Sequence, residues 1–260
     1  MSWFRRGAVA VFVLSALGAC GDDEAPAAPG RPVAAGAGYA APPLPLGVEP
    51  ALGGGVLVRG RAAPEARIRA LTTAGSAYGA TAAASGAFVL ELPASPAPRL
   101  IALSAQEKGR SVHGEGWLFV PPDAPGRGVV LNPGAAATPL AGAGLIAAVD
   151  YDAGGGAAVA GLAAPRAAVK VWIDGAEAAE GFTDETGAYG LRAEGRVPPG
   201  DHEVRVQAGE RSAAVRVRLA AAAPGEQFMA SRDPLGWRVG WRTPGGGAQT
   251  TVVLSADARP

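Results

Sequence analysis

Few residues in this chain are equipped for bond-making chemistry, and they are scattered. In 260 residues there are two histidines, His113 and His202, and one cysteine, Cys20. Hydrolysis by a serine nucleophile needs a histidine beside a hydroxyl and an acid, and the sequence has no nucleophile-elbow motif. Zinc sites need closely spaced Cys or His ligands, and neither histidine has such a neighbour. Two acidic pairs are candidates for a hard cation: Asp150 with Asp152, just before Gly154-Gly155-Gly156, and Asp184 with Glu185. Neither pair belongs to a complete ligand loop, and a solvated linker with an Asx turn accounts for them equally. The triple glycines at 53–55 and 154–156 lack the following lysine and helix of a phosphate loop. These observations predict no enzyme, no cofactor and no metal, with the four acids as the weak candidates. Aromatic residues offer one more candidate. Trp237 and Trp241 share one strand face, and Arg238 and Arg242 share the other. Such indoles either close a sandwich edge or interdomain groove, or form a platform for a sugar ring with the arginines as polar contacts.

The position of the cysteine gives it meaning. Arg5 and Arg6 precede an apolar run from Ala8 to Leu17. That run is about half the roughly twenty residues of a membrane-spanning helix, so it reads as the core of an export signal over residues 1–19. The stretch Leu17-Gly18-Ala19-Cys20 resembles the lipobox of bacterial lipoproteins. The resemblance implies cleavage before Cys20, lipidation of its sulfur with several acyl chains, and stable membrane anchoring. Gly21 rather than aspartate follows the cysteine, which in that family favours the outer over the inner membrane. With Cys20 alone, no internal disulfide is possible.

Composition narrows the partners. Of 23 Lys+Arg, removing Arg5 and Arg6 leaves 21 against 23 Asp+Glu, a net charge near −2. That is no nucleic-acid binder. Residues 20–48 are mostly Ala, Pro and Gly with three early acids. Such a segment buries too little to offset its ordering entropy, so it reads as a disordered tether reaching about 25–30 Å.

The rest is a repeat. Shifting the sequence by 101 aligns Gly53-Gly54-Gly55 with Gly154-Gly155-Gly156, Ala62-Ala63-Pro64 with Ala163-Ala164-Pro165, and Gly86-Ala87-Phe88 with Gly187-Ala188-Tyr189. Between 53 and 111, 17 of 59 positions are identical without a gap, which marks two copies of one unit. Each reads as short strands of period two between Gly/Pro turns, for example Val169, Val171 and Ile173, or Val215, Val217 and Leu219. Within copy two, Phe182-Thr183-Asp184-Glu185-Thr186-Gly187-Ala188-Tyr189-Gly190-Leu191 and Pro199-Gly200 resemble bacterial immunoglobulin-like and carboxypeptidase-regulatory-like modules. Copy one keeps Gly60, Pro64, Gly86, Phe88 and Leu90 but lacks the acidic turn. The expected fold is all-β: two tandem Ig-like Greek-key β-sandwiches at 49–133 and 140–224, then a C-terminal hairpin within 225–260. The expected role is that of a non-catalytic membrane-anchored envelope lipoprotein, structural or protein-binding. Carbohydrate or peptidoglycan binding through Trp237 and Trp241 is the alternative, and scaffolding an envelope enzyme a third.

Overall fold

The computed structural model describes residues 41–222 and 228–255. The signal segment, Cys20 and most of the expected tether therefore lie outside the described residues. Copy one supplies β1 (Leu44–Pro50), β2 (Val56–Arg61), β3 (Arg67–Thr72), β4 (Ala77–Thr81), β5 (Ala87–Leu92), β6 (Arg99–Glu107), β7 (Arg110–His113) and β8 (Trp117–Val120). The connection onward holds β9 (Val129–Leu131) and β10 (Thr138–Pro139). Copy two supplies β11 (Ala148–Asp152), β12 (Ala157–Leu162), β13 (Ala168–Ile173), β14 (Ala176–Phe182), β15 (Ala188–Arg192), β16 (Gly200–Ala208) and β17 (Arg211–Leu219). The C-terminal part adds β18 (Phe228–Asp233), β19 (Gly236–Arg242) and β20 (Ala248–Leu254).

The 101-residue shift carries over into the backbone. The bounds of β3 and β6 shifted by 101 are those of β13 and β16. In copy one, the amide of Ala62 donates to Gly86 O at 2.9 Å; in copy two, Ala163 donates to Gly187 O at 2.9 Å. Both turn glycines have positive φ, 80° and 87°. Their room is as restricted as their torsion. A Cβ at Gly86 would lie 2.4 Å from Ala62 O, and one at Gly187 would lie 2.3 Å from Ala163 O. Glycine is thus required at both turns by close approach as well as by φ.

All pairings are antiparallel and form four sheets. Sheet 1 has the order β1-β2-β5, and sheet 2 the order β10-β9-β8-β6-β3-β4 with β7 on the rest of β6. Sheet 3 runs β15-β12-β11-β20-β19-β18, and sheet 4 runs β14-β13-β16-β17. This is an all-β architecture consistent with tandem Ig-like sandwiches. One core, with Val58, Leu90, Ile101 and Leu118, fills the space between sheets 1 and 2. A second, with Val159, Val171, Val206 and Val217, fills that between sheets 3 and 4. A third lies between sheets 2 and 3, built from Leu100, Phe119, Val129 and Leu131 on one side and Trp237, Val239, Trp241 and Val253 on the other. The sheets therefore stack 1-2-3-4 with a core in each gap.

Two expectations need correction. The tether expected to run to residue 48 ends sooner, because Leu44–Pro50 pairs with β2 and buries Val48. Pro45 and Pro50 are tolerated there because β1 is an edge strand. The C-terminal part is also more than a hairpin belonging to neither copy. β19 and β20 do pair, but β18 joins them, and β20 pairs with β11, extending the sheet of copy two.

The turn geometry yields a prediction. Gly187→Ala meets both the positive φ and the Ala163 carbonyl, and should lose about 2–4 kcal/mol in urea unfolding. Gly209→Ala, with φ 59° and nothing within 4 Å of its added Cβ, should lose about 1 kcal/mol. Equal losses at the two sites would show that the carbonyl contact does not matter.

Candidate functional site

Three of the residues singled out in the sequence, Asp150, Trp237 and Trp241, converge on the gap between sheets 2 and 3, but not as a binding platform. Trp237 and Trp241 are 8 % and 1 % exposed. Neither ring is available to a sugar, because the face of β19 that carries them is the floor of the third core. Trp237 meets Phe119 edge-on, with centroids 6.5 Å apart and planes at 60°. Its Nε1–H donates to Asp123 Oδ1 at 2.8 Å, and Arg232 Nη1 donates to Asp123 Oδ2 at 2.8 Å. The Arg232 guanidinium also lies 4.4 Å from the Trp237 ring centroid. Burial pushes the Asp123 carboxyl up, but the bonds from Trp237 and Arg232 outweigh it and hold it below the ordinary value. An acid of the β8–β9 connection thus clamps two residues of the C-terminal meander.

A polar cluster completes the junction. Trp241 Nε1–H donates to Thr251 Oγ1 at 3.3 Å, and Thr251 in turn donates to Asp150 Oδ1 at 2.5 Å. Gln249 Nε2 donates to the same Oδ1 and to Ala135 O, each at 3.2 Å. The amide of Ala137 reaches Asp150 Oδ2 at 2.7 Å, and that of Gly134 reaches Gln249 Oε1 at 3.1 Å. Asp150, 3 % exposed, therefore fastens the connecting segment 134–137 to sheet 3. Burial raises its pKa from 3.8 to about 6, against the three hydrogen bonds that favour its charged form.

The other candidates stand apart from this junction. Asp152 Oδ1 accepts the amides of Gly154 and Gly156 at 2.8 Å each, and its Oδ2 accepts from Arg192 at 3.3 Å. Asp184 Oδ1 accepts from the Thr186 hydroxyl and amide and the Ala188 amide, and the hydroxyl bond is the largest influence holding its pKa low. Glu185 pairs on the surface with Arg166 at 2.9 Å. These carboxylates shape turns and ion pairs, and among the described residues no three His, Cys, Asp or Glu are grouped to hold a metal. Arg238 turns away from the tryptophans and pairs with Asp233 at 2.8 Å. Arg242 lines an open cleft of about 460 Å³ with Trp117, Leu100 and Thr73.

His202 has an acid but no nucleophile. Its Nδ1 is 2.7 Å from Asp174 Oδ2, and its Nε2 is 2.9 Å from the Pro198 carbonyl. Both nitrogens face acceptors, and the second is used by the backbone, where a hydrolase would hold a serine. His113 is exposed at the end of β7.

The junction has a signature in the sequence that period-two reading passes over. Trp117-Leu118-Phe119-Val120 and Val129-Val130-Leu131 are continuous apolar runs, as strands buried on both faces require. Shifted by 101, Trp117 falls on Arg218, an exposed residue on the outer face of sheet 4.

No protein-family model matches this sequence, and no curated protein matches it. Among solved structures, the chain is similar to the central fibronectin-III array of RIM-binding protein, at 16 % identity and a TM-score of 0.28, over 78 % of this chain and 73 % of that one. So loose a superposition carries no inference, and the sandwich architecture rests on the pairings and cores above.

Asp150 sets a pH dependence. Its folded pKa, about 6, lies above the ordinary 3.8. The stability that its neutral form contributes is therefore fully present below about pH 4 and is lost as pH rises through about 6. Asp150→Ala also strands the buried donors of Ala137, Thr251 and Gln249, each costing about 1–3 kcal/mol. In urea unfolding the loss should be larger at about pH 4.5 than at about pH 7.5. An equal loss at both, or a larger one at the higher pH, would contradict this.

Proposed function

We propose that this chain is a non-catalytic lipoprotein of the bacterial cell envelope, whose two Ig-like Greek-key sandwiches act as one rigid structural or protein-interaction body. The observation that carries the reading is the third core. Tandem domains joined only by a linker move independently by default. Here the sheets of the two copies share Phe119, Trp237 and Trp241 in one buried layer, so the pair acts as a stiff block. A stiff block suits spacing or presentation more than turnover. No catalytic step is part of the proposal.

Anchoring rests on the sequence alone: Leu17-Gly18-Ala19-Cys20 closing an apolar run. In this reading acyl chains on Cys20 hold the protein on the outer membrane, and the alanine- and proline-rich stretch before β1 sets the block away from the lipid.

Anchoring is tested by fractionation and mass spectrometry. The wild-type N-terminal peptide should begin at Cys20 and carry acyl mass, and the protein should pellet with membranes. Cys20→Ala should shift it to the soluble fraction. An unmodified Cys20 in membrane-associated protein would rule the anchor out.

A further inference from the structure

Sheet 4 ends on an unusual edge. β17 has nine residues, more than any other edge strand of the four sheets. It pairs with β16 without a register shift and contains no proline or glycine. Two other edges are guarded: β1 by Pro45, Pro50 and an irregular register, and β10 by its two-residue length and Pro139. Long unguarded edges are templates for strand addition. The fold already uses its edges in this way, since β20 adds to β11 and β9 adds to β8. Among the described residues, β17 is closed only at the far end, where Arg238 Nη2 donates to the Arg218 carbonyl at 2.9 Å.

Charge selects what fits. β17 exposes Arg211, Arg216 and Arg218 and carries no acid, so a second β17 is repelled. Beside Ser212–Val215 lies an open cleft of about 420 Å³. Its floor includes Leu145, Ile146 and Leu254, and its walls include Arg127 and Arg205. Neither arginine forms an ion pair among the described residues. Arg205 instead lies 4.5 Å from the Trp172 ring centroid. Arg127, with no counter-charge among the described residues, an apolar floor and a backbone edge share one concave strip, and Arg205 borders it with its guanidinium over Trp172 of β13.

We propose that this strip binds an extended acidic peptide segment of a partner protein. The segment adds to β17 as a strand, its acidic side chains meet Arg127 and Arg205, and alternate apolar side chains enter the cleft. The proposal rests on the interaction reading above and gives it a site and a partner chemistry.

The test is fluorescence anisotropy of the mature protein with a labelled peptide of about eight residues alternating Glu and Val. Saturable binding is expected. N-methylation of alternate peptide residues, which removes main-chain donors, should weaken it at least about tenfold. The Arg127→Glu, Arg205→Glu double variant should weaken it as much, with its circular dichroism and unfolding midpoint unchanged. A peptide with Lys for Glu should not bind. Absence of saturable binding overturns the proposal. So does N-methylated peptide binding as tightly as its parent, which would mean charge attraction alone. So does undiminished binding to the charge-reversed variant. Because acylation of Cys20 is read separately, failure here leaves the anchored envelope role standing, and an unmodified Cys20 leaves this site standing.

Discussion

Trp241, Trp237 and Phe119, closed between sheets 2 and 3, are the contact on which the rest of the architecture depends. Large aromatics bury more apolar surface than any other side chain. The other strands of sheet 3 add only Ala148 and Ala160 to this layer, both fully buried, which leaves room for the large residues of sheet 2. Large against small lets the two sheets approach without voids. The C-terminal meander exists to supply this layer: β20 docks on β11, which brings β19 and its two indoles under sheet 2. The Asp150 cluster and the Asp123 clamp then satisfy the polar groups that the layer would otherwise strand.

The stack has ends because the two outer faces are charged. At the position equivalent to Ala160, sheet 1 carries Arg59, paired with Glu49 at 2.9 Å. Sheet 4 presents Lys170 with Glu177 and Glu180, and Arg218 with Asp201. Exposed pairs such as these contribute little stability. Their effect is to keep these two faces in water. The inner faces of sheets 2 and 3 differ from the outer faces of 1 and 4 in these residues and in the added strands β8, β9, β19 and β20, which supply most of the third core.

Much of this was legible in the residues. The period-two pattern places β13 and β17 correctly, and the 101-residue shift pairs the turns at Gly86 and Gly187, because local backbone demands recur wherever the unit recurs. The indoles were harder. Alternation shows that Trp237, Val239 and Trp241 share a face, but not whether protein or solvent covers it; that depends on sheet 2, more than a hundred residues earlier. Distance along the chain also hides Asp150, whose neighbours in sequence suggest a cation loop while its partners Ala137 on one side and Gln249 and Thr251 of β20 on the other come from two other segments. β1 was concealed by its prolines, which read as tether until β2 is there to pair with them.

The central claim is that the third core makes two sandwiches one cooperative body. It is tested most directly by equilibrium urea unfolding of the mature protein, followed by tryptophan fluorescence and by far-ultraviolet circular dichroism. With Trp172 of sheet 4 replaced by Phe, the remaining indoles at 117, 237 and 241 report the junction, and the circular dichroism reports all four sheets. One cooperative body gives coincident curves with a single transition, and a slope suited to the whole body rather than to half of it, because slope scales with the surface exposed. Loss of the fluorescence signal at clearly lower urea than the loss of β-structure, leaving folded sandwiches behind, would contradict it.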